Sequence, residues 1–163
     1  MKVSTDDYQP DDWKLRGGLA GLLLFNRNTG LNVLIDEIRV PTALHSRAPR
    51  QVSIALTNRC DLACVHCYAP KSRDELRFDE VARWLDELDE NGTLAVGFGG
   101  GEPTLHAEFV KLCRYAAHET RLSVSLTTHG HHIDNDEQHT PIWLCRDIRA
   151  PWSQLWPHLR RFG

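Results

Sequence analysis

Between residues 52 and 127 the chain switches repeatedly between two hydrophobic periods. Val52, Ile54 and Leu56 alternate with Ser53, Ala55 and Thr57, which is the two-residue period of a strand. Val81, Trp84, Leu85 and Leu88 then recur at i, i+3, i+4 and i+7, predicting an amphipathic helix over 79–90, with Asn91-Gly92 as its stop. Leu94, Val96 and Phe98 alternate with Ala95, Gly97 and Gly99 in a second strand. Leu105, Phe109, Leu112 and Ala116 predict a second helix over 105–118, and Leu122, Val124 and Leu126 alternate with Ser123, Ser125 and Thr127 in a third strand. Strand, helix, strand, helix, strand implies right-handed βαβ units on a parallel sheet. In each strand one face is bulky and the other carries Ser, Ala, Gly or Thr. A flat sheet with helices on both faces would want bulk on both. A small-residue face instead suits the inside of a barrel with room for a bound molecule. The fold class is therefore α/β, a partial (β/α) barrel of about three parallel βα units with an N-terminal β-hairpin.

The hairpin comes from two apolar runs, 19–25 and 31–36, separated by Asn26-Arg27-Asn28-Thr29-Gly30, whose Asn and Gly supply the positive φ of a tight loop. Residues 1–18 read as a polar, partly disordered start, and Pro41 and Pro49 bracket a linker. The organisation is an extension over 1–50, a core over 51–130 and an irregular tail over 131–163, read as truncated or frame-shifted. A net charge of −3 makes no electrostatic case for nucleic acid. The longest apolar run, Leu19 to Phe25, is far short of the roughly twenty residues that span a bilayer, so no membrane partner is expected. The acidic N-terminus lacks the basic start and apolar run of a secretory signal, and a cytoplasmic location is expected.

Three motifs follow the three strands. Cys60, Cys64 and Cys67 stand in the spacing C-x3-C-x2-C. Three thiolates on one short loop can hold three corners of a cubane iron–sulfur cluster and leave the fourth iron open. A structural zinc site usually takes four protein ligands as two separated pairs. Here no second CxxC exists, and His66 is awkwardly placed beside Cys67. Zinc, or three inert buried cysteines, are the alternatives. Gly99-Gly100-Gly101-Glu102-Pro103 follows the second strand. Its glycines allow close backbone approach to a ligand, and Glu102 offers a carboxylate to an ammonium group. The Lys and Ser/Thr of a phosphate loop are absent. Thr127-Thr128-His129-Gly130 follows the third strand as a polar turn. All three motifs sit where α/β barrels place their chemistry, at the C-terminal ends of parallel strands.

In kind and order these motifs, over about residues 51–130, resemble the radical S-adenosylmethionine superfamily. The family's cluster motif is C-x3-C-x-φ-C with an aromatic at φ, where this chain has His66, and its GGEP motif matches Gly100 to Pro103. Leu56-Thr57 and His66-Cys67-Tyr68 look most like the branch that modifies peptides and cofactor precursors. The resemblance implies that Cys60, Cys64 and Cys67 hold a [4Fe–4S] cluster, and that S-adenosylmethionine chelates the open iron. The Gly100 and Gly101 backbone and Glu102 would grip the methionine ammonium. His66 would lie near the adenine, and Thr128 near the methionine or ribose side. The implied activity is reductive cleavage of S-adenosylmethionine to a 5′-deoxyadenosyl radical. Its implied partners are a peptide or small-molecule substrate and an external electron donor.

The family core usually has six strands, and 113 residues from Gln51 onward allow fewer than four βα units at roughly 30 residues each. The activity is expected to be impaired in this short chain. A non-catalytic iron–sulfur or zinc module and an inactive truncation product are the alternative functions. An uncovered last strand would favour self-association through its open edge. Cys113 and Trp84 are expected in the core, and His129, His131 and His132 in a solvated turn.

Overall fold

The computed structural model describes residues 12–134 and 140–141. Its first unit is an antiparallel sheet of β1 (Trp13–Gly18), β2 (Gly21–Asn26) and β3 (Asn32–Ile35), in that order. The expected hairpin is the β2–β3 pair, with Leu22 opposite Ile35 and Phe25 opposite Asn32. The polar start is not wholly irregular, because Trp13–Gly18 pairs with the whole of β2. The first four residues of β1 alternate apolar and basic, but the alternation is inverted: Leu15 is exposed and Lys14 faces inward. Lys14, at 8% exposure, points inward and bonds Asp89 Oδ1 at 2.5 Å and the Thr93 carbonyl at 2.7 Å. Burial pulls the Lys14 ammonium below the usual lysine range, against the opposing effect of Asp89.

The second unit is the expected one. β4 (Gln51–Thr57), α1 (Phe78–Glu90), β5 (Ala95–Gly100), α2 (Phe109–His118) and β6 (Ser123–Leu126) form a parallel sheet ordered β4-β5-β6. Register puts Ile54 beside Phe98 and Phe98 beside Leu126, so the bulky residues of all three strands share one face. Ile54, Leu56, Val96, Phe98 and Val124 meet Val81 and Leu85 of α1 and Phe109, Leu112, Cys113 and Ala116 of α2 in one core. On the other face Ser53 and Ala55 are exposed and Gly97, Gly99 and Ser125 half-buried.

α2 starts at Phe109 rather than 105. Pro103–Leu105 forms a separate 3-10 turn, capped by the Glu102 side chain. The buried His106 donates from Nε2 to the Leu76 carbonyl at 2.7 Å and accepts the Glu108 N–H at Nδ1, which separates the turn from the helix. β6 is Ser123–Leu126, one residue shorter at each end than the alternation, and beyond it Thr128 turns towards Glu102. Cys113 is fully buried, as expected. Trp84 is 38% exposed, since α1 buries Val81, Ala82 and Leu85, leaving Trp84 beside Leu88 and Val52 on a groove of about 600 Å³ along β4.

The antiparallel sheet docks at the end of the parallel sheet where its strands begin. Leu23, Phe25 and Leu94 form a small second core there. Arg27 donates to the Ala117 and Thr120 carbonyls at the end of α2, a favourable place for a cation. The opposite end is left to the motifs. Beyond His132 there is a short parallel pair, β7 (Ile133–Asp134) with β8 (Thr140–Pro141). Most of the expected tail, with Cys145, Trp152 and Trp156, lies outside the described residues.

Lys14→Ala should strand Asp89 and the Thr93 carbonyl. The loss of two charge-assisted bonds should cost about 3 kcal/mol in urea denaturation. An unchanged midpoint would show that the sheet docks without it.

Candidate functional site

The cysteine loop leaves the C-terminal end of β4, and its neck is tightly bonded. Asn58 N–H donates to the Asp74 carbonyl at 2.9 Å and Leu76 N–H to the Leu56 carbonyl at 2.9 Å. The Thr57 hydroxyl, on a residue 2% exposed, donates to the Asp74 carbonyl and accepts the Arg59 N–H. The cysteines project beyond this neck. Cys60 is half-buried, Cys64 and Cys67 are exposed, and all three are free thiols. A turn joins Cys67 N–H to the Cys64 carbonyl at 3.1 Å. The Ala69 backbone N–H, then Lys71 with Nζ 3.4 Å from Sγ, hold the Cys67 thiol below its ordinary pKa. That favours thiolate, the form that ligates metal.

The glycines lie against this loop. Gly100 has φ +125°, and a Cβ on it would sit 2.3 Å from the Thr57 carbonyl oxygen. A Cβ on Gly101 would sit 2.2 Å from the Arg59 carbonyl oxygen. Gly101 N–H donates to Thr57 and Glu102 N–H to Arg59, each at 2.7 Å. The side-chain-free backbone thus seats the residues that lead into Cys60.

Glu102 is 1% exposed. Its Oε1 accepts the Thr104 N–H at 3.1 Å, the Thr104 hydroxyl at 2.6 Å and the Thr128 hydroxyl at 2.7 Å, and Oε2 accepts the His129 N–H at 3.0 Å. Burial pushes the carboxyl pKa up, but the bonds from Thr104, Thr128 and His129 outweigh it and hold the group below the usual glutamate range. Hydrogen bonds to the charged form have this effect.

The turn after β6 also reaches the cysteine loop. His129 Nε2 lies 2.8 Å from Asp61 Oδ1 and His132 Nε2 3.0 Å from Asp61 Oδ2. His129 Nδ1 accepts the His131 N–H at 3.1 Å, so its ring proton is on Nε2 and is donated to Asp61. That bond is the chief cause of the lowered Asp61 pKa. The solvated-turn expectation therefore fails for His129, whose side chain is 14% exposed, while His131 is exposed.

Ligand atoms of Cys60, Asp61 and His129 lie within 4.8 Å of one another, while Cys64 and Cys67 are exposed further along the same loop. Three free thiols on an open loop, one biased to thiolate, suit an iron–sulfur cluster, whose irons are held by cysteine thiolates. His66 is exposed on the same loop. Thr128 is joined to Glu102.

The parallel sheet with all three motifs at its C-terminal end defines the class, and the radical SAM superfamily model matches residues 54–141, more than half of the chain. The chain belongs to that superfamily, which uses a [4Fe–4S] cluster and S-adenosylmethionine. It is similar to the PqqA peptide cyclase of Bradyrhizobium diazoefficiens, 41% identical over 73 residues, covering 42% of this chain and 19% of the relative. It is similar to the mycofactocin maturase MftC of Mycolicibacterium smegmatis, 39% identical over 87 residues, 51% of this chain and 22% of the relative. The fold is also that of SuiB from Streptococcus suis, solved with its precursor peptide SuiA, at TM-score 0.60 and 18% identity over 76% of this chain and 43% of SuiB. The chain spans about a fifth of the length of the two curated relatives.

Glu102→Gln would turn an amide N–H₂ towards donors that need acceptors. It should cost about 1.5–3 kcal/mol at neutral pH. The carboxylate's contribution is present above the ordinary glutamate range and lost as pH falls through its depressed value, so the gap between wild type and variant should narrow on acidification. Urea denaturation across that range measures it; equal stability at neutral pH contradicts the bonding scheme.

Proposed function

We propose that this chain carries the cofactor-binding part of a radical SAM enzyme that modifies a peptide or a cofactor precursor, with a peptide favoured by the relatives named for peptide substrates. In this reading residues 51–130 are the cofactor-binding unit and residues 1–50 an extension. Cys60, Cys64 and Cys67 would hold a [4Fe–4S] cluster and leave one iron for S-adenosylmethionine. When bound, the two cofactors supply one-electron cleavage to methionine and a 5′-deoxyadenosyl radical that takes hydrogen from the substrate.

The chain's own residues bind and orient. The N–H groups of Gly101 and Glu102 are spent on the cysteine loop. What the Gly100–Gly101 backbone can still offer a methionine ammonium is carbonyl oxygen. Glu102 has roughly four acceptor sites, all taken by Thr104, Thr128 and His129. An ammonium joins it where the Thr128 hydroxyl rotates away, which makes Thr128 part of the same subsite. His66, exposed on the cysteine loop, would face the adenine. The small-residue face leaves room for the remainder of the ligand.

The observation that carries the reading is the pair of 2.7 Å bonds from Gly101 and Glu102 to Thr57 and Arg59. They join the strand-end carboxylate's segment to the residues leading into Cys60. An external electron donor is required, and the outer edge of β6, without a paired strand among the described residues, offers a route to self-association.

Anaerobic reconstitution with iron and sulfide should give a brown protein. Cys60→Ala, Cys64→Ala and Cys67→Ala should each abolish iron retention, while Cys113→Ala and Cys145→Ala should not. Zinc without iron, or iron lost only with Cys113, overturns the reading.

A further inference from the structure

The loop that bears the cysteines and the turn that follows β6 are far apart in sequence, yet Asp61 joins them through both of its oxygens. One oxygen takes the Nε2 proton of His129 at 2.8 Å and the other meets His132 Nε2 at 3.0 Å. The donor assignment for His129 is fixed by the His131 N–H on its other nitrogen. The backbone N–H of the same His129 is bonded to Glu102 Oε2 at 3.0 Å. One residue thus touches the carboxylate behind the glycines and the carboxylate beside Cys60. The three thiols differ accordingly: Cys60, next to Asp61, is half-buried, whereas Cys64 and Cys67 are exposed.

We propose that Asp61, His129 and His132 form a latch that pins the first cysteine of the loop to the turn after β6, with His129 as the positioning residue that links it to Glu102. The purpose assigned to the latch, presenting Cys60 in a fixed place for cluster capture, rests on the function proposed above. The latch itself is a property of the metal-free chain. Cys64 and Cys67, three and six residues further along the loop than Asp61, are exposed and have no bond to the latch among the described residues. A bidentate carboxylate is suited to this work because two charge-assisted bonds fix both its position and its rotation.

The test is anaerobic alkylation of the metal-free full chain with iodoacetamide, read at each cysteine by mass spectrometry. In the wild type Cys60 should react more slowly than Cys64 and Cys67, and Cys113, with no exposed surface, should stay unreactive as an internal check on folding. His129→Ala and His132→Ala leave the Asp61 charge in place, so any change reflects the bonds. Each should speed alkylation of Cys60 alone, by roughly two- to five-fold for the loss of one ion-paired bond to an exposed carboxylate. His129→Gln, which keeps an N–H donor at a similar reach, should restore the slow rate. Adding His129→Ala to Asp61→Ala should bring no further increase. An unchanged Cys60 rate in both alanine variants overturns the latch, as does an equal rise at all three loop cysteines with Cys113 still protected. Should His129→Ala expose Cys113, His132→Ala decides by itself. A chain that shows the selective effect yet retains no iron on reconstitution keeps the latch and loses the functional reading.

Discussion

A carboxylate with almost no exposure must be either protonated or ringed by donors, and Glu102 is ringed. Its four bonds come from the 3-10 turn that follows it and from the turn that follows β6. Its own N–H, with that of Gly101, holds the entry to the cysteine loop. The ends of all three parallel strands are thus tied to two adjacent residues. The energetic balance is set by the donors. Burial alone would favour the neutral acid, and a neutral acid would be a poor partner for any cation.

That arrangement depends in turn on the asymmetry of the sheet. Bulky residues in register on one face pack under α1 and α2 in one core. The opposite face carries small residues, and Ser53 and Ala55 on it are exposed. The antiparallel sheet stabilises the far end through Lys14, Arg27 and Leu94 and leaves the motif end clear. The docking contacts and the three motifs are thus separated to the two ends of the strands.

The parallel unit was legible because its periods are local and strong: Ile54, Val96 and Val124 alternate cleanly with small residues. The three cysteines, the glycines and Glu102 were legible because spacing and strand-end position are written in the chain. What was hidden depends on partners distant in sequence. β1 pairs with β2 while turning Lys14, not Leu15, inward to Asp89 and Thr93, and apolar periodicity does not announce that orientation. The start of α2 was misplaced because His106 bonds Leu76 instead of continuing a helix. His129 looked like one of several histidines in a turn; its value lies in Asp61 and Glu102, which come from two other loops.

The central claim is that the three loop thiolates leave one iron open beside the Glu102 segment. Electron paramagnetic resonance of the reconstituted, dithionite-reduced chain, recorded before and after adding S-adenosylmethionine, tests it most directly. The account predicts a [4Fe–4S]⁺ signal whose g-values shift on addition, and a much weaker response in Glu102→Ala at the same ligand concentration. A cluster signal that S-adenosylmethionine leaves unchanged in the wild type would contradict it.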